Sequence, residues 1–189
     1  MGRHTLDAIA DDDSVPVMVP RNVKTLVPTP PERVRRLRRH LLVVLRASPA
    51  RSDFERPASP VRPEPEGFAA RVAREACAMC EGWCCKNGED DGFLDERTVA
   101  RVRHARENLT ARAVLRLYVE RVPEAGYQGS CIFHGKHGCT LDRSLRSDVC
   151  NSYFCGGLHG YIASGGAATP VTIIAGEGGN MRTSPVLTP

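Results

Sequence analysis

Eight cysteines dominate the chemistry this chain can offer. Cys77, Cys80, Cys84 and Cys85 fall in one run, C-A-M-C-E-G-W-C-C. Cys131, Cys139, Cys150 and Cys155 follow after a stretch, 86–130, that contains none. A C-x-x-C turn brings two sulfurs within reach of one ion, at about 2.3 Å each for zinc. Thiolates are soft ligands that select zinc, copper(I) or iron–sulfur clusters over magnesium or calcium. Neighbouring side chains tend to point apart, so Cys84 and Cys85 are expected to serve different metals, or only one of them to ligate. Gly82 permits a tight turn beside the sulfurs, where amide N–H groups can donate to thiolate.

Other uses of the cysteines fit less well. Disulfides would suit an even count. However, the N-terminal Met-Gly-Arg-His-Thr-Leu-Asp leads into Asp11-Asp12-Asp13, with neither the basic nor the apolar region of an export signal. The expected location is therefore the cytoplasm, where thiols stay reduced and turn to metal binding or catalysis. A thioredoxin-like C-x-x-C needs one pair, and inert buried thiols occur singly. All eight cysteines are therefore expected to be metal ligands, with Cys84 and Cys131 the weaker assignments. Eight thiolates suffice for two four-thiolate zinc sites, or for one four-iron cluster with four to spare. The sequence leaves zinc versus iron–sulfur cluster open.

The residues nearby divide by role. His134 and His137 lie between Cys131 and Cys139, and with eight thiols present they are read as supporting or surface groups. His104 and His159 are read as structural or solvated. Arg146 either offsets the negative charge of a thiolate site or is a surface arginine like Arg143. Trp83 either shields a metal or packs in a small core. Asp90, Asp91, Asp95 and Glu96 suit a loop and a helix N-terminus. No Ser–His–Asp arrangement, P-loop or G-x-G-x-x-G is present, so no catalytic residue is assigned.

The run C-x2-C-x3-C-C is followed by Cys131, by Gly138-Cys139-Thr140-Leu141, by Arg146-Ser147-Asp148-Val149-Cys150, and by Tyr153-Phe154-Cys155. Together these resemble the YkgJ-type cysteine-cluster family, described as a zinc- or iron-chelating domain with eight cysteines. The resemblance spans roughly 77–155 and uses all eight. It departs from the family's pattern at Ser147, where Arg-Pro is usual ahead of the penultimate cysteine, and at Ile132, where Cys-Pro is usual. The resemblance implies metal binding and, through part of the wider family, an iron–sulfur redox protein or cluster-dependent protein-modifying enzyme.

These side chains need elements to position them. A chain of 189 residues fits one domain with irregular flanks, and 14 Pro with 17 Gly argue for a modest core. Residues 1–29 show no sustained period and are expected to be disordered. Thr29-Pro30-Pro31-Glu32 then reads as a helix start, with Thr29 the N-cap. Val34, Leu37, Leu41, Val44 and Leu45 carry an amphipathic, Arg-rich helix over 30–47. Its basic face is a candidate surface for a protein partner. Residues 48–66 form a Pro-rich linker.

A metal-binding domain is expected over 67–160. One helix would carry Phe68, Val72, Ala76 and Cys80; a second would run from Asp95 to about Val122, with a weak point near Asn108. Residues 161–189 read as a Gly-rich tail containing one strand-like run, Val171–Ile174. The expected fold is mainly α, small, irregular and metal-supported. A net charge of +4 is too mild for a specific nucleic-acid footprint. The longest aliphatic run, Leu41–Leu45, is far short of a membrane span.

Overall fold

The computed structural model describes residues 13–48, 65–106, 109–166 and 169–189. Nearly all of the expected linker, the start of the 1–29 stretch and Asn108 fall outside them. The described chain forms two compact units, each assembled from distant segments. The first takes residues 13–23, 65–83 and 154–189; the second takes 24–48 and 84–153.

The first unit is built on a three-stranded sheet. Strand β1 (Val15–Pro20) lies parallel to β6 (Val171–Glu177), which pairs antiparallel with β7 (Asn180–Thr183). Val17 and Val19 of β1 point into the core while Met18 is exposed, the period of two that a half-buried strand requires. Pro16 and Pro20 are tolerated because β1 is an edge strand and need not donate at every position. β6 is central and buried from Val171 to Ala175; its one polar residue there, Thr172, shares a hydrogen bond with the Ser14 hydroxyl at 2.7 Å.

Helices α2 (Gly67–Cys80) and α6 (Gly156–Ala163) complete the unit. Val72, Ala73, Ala76 and Cys80 form the buried stripe of α2, and Leu158 and Tyr161 that of α6. Only glycine fits at position 157, because a Cβ there would lie 1.7 Å from the Met18 carbonyl oxygen.

The second unit is mostly helix over a minimal sheet. Strands β2 (Leu26–Pro28), β3 (Ala125–Tyr127), β4 (His134–Gly135) and β5 (Gly138–Cys139) pair in chain order, all antiparallel. Helix α1 spans Pro31–Ala47 and buries Leu37, Leu41 and Val44. Its N-cap is Pro30 rather than Thr29, whose hydroxyl donates instead to the Pro123 carbonyl at 2.6 Å. The helical stretch Asp95–Val122, read with a break near Asn108, holds two helices: α3 (Glu96–His104), capped by Asp95, and α4 (Ala111–Val119), capped by Thr110. Both caps accept a backbone N–H from three residues on. The short helix α5 covers Asp148–Ser152. Tyr118 of α4 is fully buried, donates to the Leu145 carbonyl at 3.0 Å, and meets Phe133 with ring centres 6.2 Å apart.

The expectation of a mainly α fold is corrected: the architecture is mixed α/β, with one sheet in each unit. The strand-like run Val171–Ile174 is the start of β6, but the other strands escaped a reading by periodicity for physical reasons. β2 to β5 are two or three residues long, too short to display alternation. β1 carries prolines, and its partner lies some 150 residues away in sequence. Two strands therefore lie within the 1–29 stretch read as disordered, and a hairpin of two strands lies within the segment read as a tail.

Candidate metal centre

All eight cysteines are thiols, none joined in a disulfide. They divide unequally between the units, and the division falls inside the cysteine-rich run, between Trp83 and Cys84.

Cys77, Cys80 and Cys155 belong to the first unit. Cys77 is exposed on α2, and Cys80, one turn later, is buried in the apolar core. The end of α2 is pinned: the Cys80 carbonyl accepts the Asn22 N–H at 2.8 Å, and Glu81 takes a left-handed conformation, φ 53°, followed by Gly82 at φ 75°. Glu81 in turn is bridged by Arg21 at 3.4 Å and Arg182 at 3.1 Å. Cys155 occupies the N-cap position of α6 and packs with Trp83 against the same core. Cys80 and Cys155 thus sit as small hydrophobes do, and Trp83 is a packing residue of this unit.

Cys84, Cys85, Cys131, Cys139 and Cys150 belong to the second unit, spread over four short supports. Cys84 and Cys85 lie in the 3₁₀ turn Trp83–Gly88. Cys131 is buried in the loop before β4, its N–H donating to the Cys85 carbonyl at 2.9 Å. Cys139 is in β5, opposite His134 of β4. Cys150 is in α5, whose cap Ser147 accepts the Cys150 N–H at 3.2 Å. Two glycines let these segments approach: a Cβ at Gly88 would fall 2.9 Å from the Cys131 Cβ, and one at Gly92 would fall 2.9 Å from the Phe133 ring. The Cys150 Sγ donates weakly to the Gly92 carbonyl at 3.9 Å.

Arg33 of α1 ties this region together. Its guanidinium donates to the Asp90 carboxylate, to the Glu89 carbonyl at 2.9 Å and to the Ser130 carbonyl. Asp90 also takes Arg36, so one carboxylate fixes α1 to the turn that leads toward Gly92. His134 is buried, its Nδ1 2.9 Å from the Ser130 hydroxyl and its ring 4.6 Å from that of Tyr127. It braces the Cys131 loop, in keeping with a supporting part; His137 is exposed.

Neighbouring groups shift the ionisation of Cys84, Cys85, Cys131 and Cys150. The hydrogen bond from Cys85 lowers Cys84 to about 7 against the opposing effect of burial, helped by the Arg146 charge. That same bond, then burial and the neighbouring Cys84, Cys131 and Cys139, holds Cys85 far above the ordinary thiol range. Burial pushes Cys131 up to about 12, with Cys139 and Cys150 adding to it and Arg33 opposing. Cys150 is raised by burial, then by Cys139 and Cys84. Arg146 acts on both Cys84 and Cys150 while its Nε donates to the Leu141 carbonyl at 2.9 Å. It is therefore a charge beside the thiols rather than a remote surface arginine.

As placed, no three His, Cys, Asp or Glu side chains among the described residues are close enough to hold one metal ion. The donor set fits a thiophilic metal in kind: soft sulfurs, at least four in number, with a cation nearby to temper their charge. It falls short in spacing.

No protein-family model, curated protein or solved structure matches this chain. No helix among the described residues is long and apolar enough to cross a membrane. Sequence reasoning found every thiol but missed Asp90, Gly88 and Gly92 as the groups that fit around them. A Gly-x-x-x-Gly pair flanking an aspartate was the available signal, and it is too common to single out.

Proposed function

We propose that the chain is a metal-binding cysteine-cluster protein, and that Cys84, Cys85, Cys131, Cys139 and Cys150 supply its thiolate ligands. One observation carries this reading: five of eight cysteines, drawn from four separate segments across 84–150, fall in one unit, the buried Cys131 among them. Burial and neighbouring thiols hold Cys85, Cys131 and Cys150 protonated, and a bound cation relieves that by replacing the protons. Ligand deprotonation then makes binding energy part of folding energy.

The supports suit such coupling. A 3₁₀ turn, a two-residue strand and a five-residue helix have little stability of their own and can close on a metal. A bound zinc would act as a structural brace; an iron–sulfur cluster would add electron transfer. The eight-cysteine resemblance to the YkgJ-type family supports the same reading and extends it to Cys77, Cys80 and Cys155.

The test is metal and sulfide analysis, with a visible spectrum, on full-length protein purified without oxygen. Colourless protein carrying zinc identifies the brace. Iron with matching sulfide and absorbance near about 400 nm, bleached by dithionite, identifies the cluster. Protein that holds neither, and gains neither on reconstitution, overturns the proposal.

A further inference from the structure

The outer face of α1 holds cations with no use in the fold. Of its arginines, Arg33 and Arg36 are bound to Asp90, and Arg35 to Glu32. Arg38, Arg39 and Arg46 are exposed and have no carboxylate partner among the described residues. Between them lie Leu42, 41% exposed, and Val43, 61% exposed, the large aliphatic side chains of α1 that reach water. At 100° per residue, positions 35, 38, 39, 42, 43 and 46 share one arc of about 140°. That arc lies opposite the buried Leu37, Leu41 and Val44, and the row runs about 16 Å along the axis. At its N-terminal end Glu32, Arg35, Arg36, Arg38 and Arg39 line a shallow depression of about 380 Å³.

We propose that this face docks an acidic amphipathic helix of a partner protein. An apolar pair flanked by arginines is the complement of a helix whose apolar stripe is edged with carboxylates. Arginine strengthens the match, because its planar fork receives a carboxylate with two parallel hydrogen bonds. A membrane surface fits less well. Interfacial helices commit their apolar face to lipid, and α1 has committed its own to the core, leaving two aliphatics of moderate size. A nucleic-acid backbone fits less well too, since phosphates offer Leu42 and Val43 no apolar cover and would meet Glu32 at one end. The inference stands apart from the metal reading.

The experiment is selection of a random peptide display library on the immobilised full-length chain, followed by anisotropy titrations with a labelled synthetic copy of the enriched peptide. The expected result is enrichment of acidic sequences with apolar residues three or four apart. Binding should weaken roughly tenfold or more in Arg39→Glu/Arg46→Glu and in Val43→Asp, and also weaken in raised salt. Should the charge reversal disturb folding, Arg39→Gln/Arg46→Gln removes the same charges without adding repulsion. Enriched peptides without carboxylates overturn the proposal, as does affinity unchanged in these variants. So does retention of phosphatidylserine vesicles or a mixed-sequence DNA duplex through the same arginines when no acidic peptide is retained.

Discussion

The two units treat cysteine differently. In the first, β6 is central, buried and paired on both edges, and Cys80 and Cys155 fill an apolar core that Val17, Val19, Val72, Leu158 and Ile173 already define. In the second, the helices have their own core of Leu37, Leu41, Val99, Val114, Tyr118 and Phe133, but the thiols sit where regular structure is thinnest. A cysteine in the first setting packs in a core; in the second it lies on a short turn, strand or helix beside other thiols. Cys131 alone is both, being buried in the core of the second unit and within range of Cys85, Cys139 and Cys150.

The largest test of this contrast is removal of the metal. If the five thiols hold it, chelation or Cys131→Ser should cost several kcal/mol, since structural zinc sites contribute up to about 10–16 kcal/mol in small domains. Amide exchange should then accelerate around β4, β5 and α5 while β6 keeps its protection. Equal acceleration in β6 would show that the units do not respond separately. Two glycine substitutions sharpen the point. Gly157→Ala drives a Cβ into the Met18 carbonyl and should cost about 3 kcal/mol with metal content unchanged. Gly88→Ala presses on Cys131 and should cost about 1–3 kcal/mol, with metal lost as well. Urea unfolding and metal per chain, measured on both variants, separate the two.

A smaller effect is expected at Asp90, which anchors α1 beside the thiol loops. Burial raises its carboxyl, but the bonds from Arg33 and Arg36 outweigh that, and the net shift is downward. A carboxylate held below its usual 3.8 contributes stability that is complete above that value and disappears as pH falls through the lower folded value. Asp90→Asn should therefore cost about 1–2 kcal/mol at pH 7, a figure kept modest because Arg36 is half exposed. The gap from the native protein should close as the pH drops below about 4. A gap constant down to pH 3 would mean that Asp90 acts by shape rather than charge.

The chemistry was easier to read in the sequence than the architecture, and the reason is range. C-A-M-C-E-G-W-C-C announces thiols by identity alone, and α1 and α2 show their apolar stripes within a single helix length. The β1–β6 pairing joins Val15 to Val171, and no local pattern records a partner that distant. Where the cysteine run divides between units was also hidden, because Cys80 and Cys84 look alike in sequence. Only the packing of α2 against the β1–β6 sheet makes one a core residue and leaves the other with Cys85. The exposed face of α1 was legible as charge, but which arginines are spent on Asp90 was not.

The smallest expected effect discriminates most finely. Cys77 is exposed on α2, one turn ahead of Cys80, on a helix whose buried stripe is Val72, Ala73, Ala76 and Cys80. Cys77→Ser changes an exposed side chain outside that stripe, so stability should change by no more than about 0.5 kcal/mol. If the ligands are the five thiols of the second unit, metal per chain should also stay the same. If instead all eight cysteines ligate, as the family resemblance implies, this substitution should lower metal content as far as Cys84→Ser does. Loss of metal at Cys77 without loss of fold would make the C-x-x-C pair a ligand pair in its own right. Retention would confine the donors to the unit whose loops need them, because a thiol on a well-packed helix gains nothing from a metal that the helix does not require.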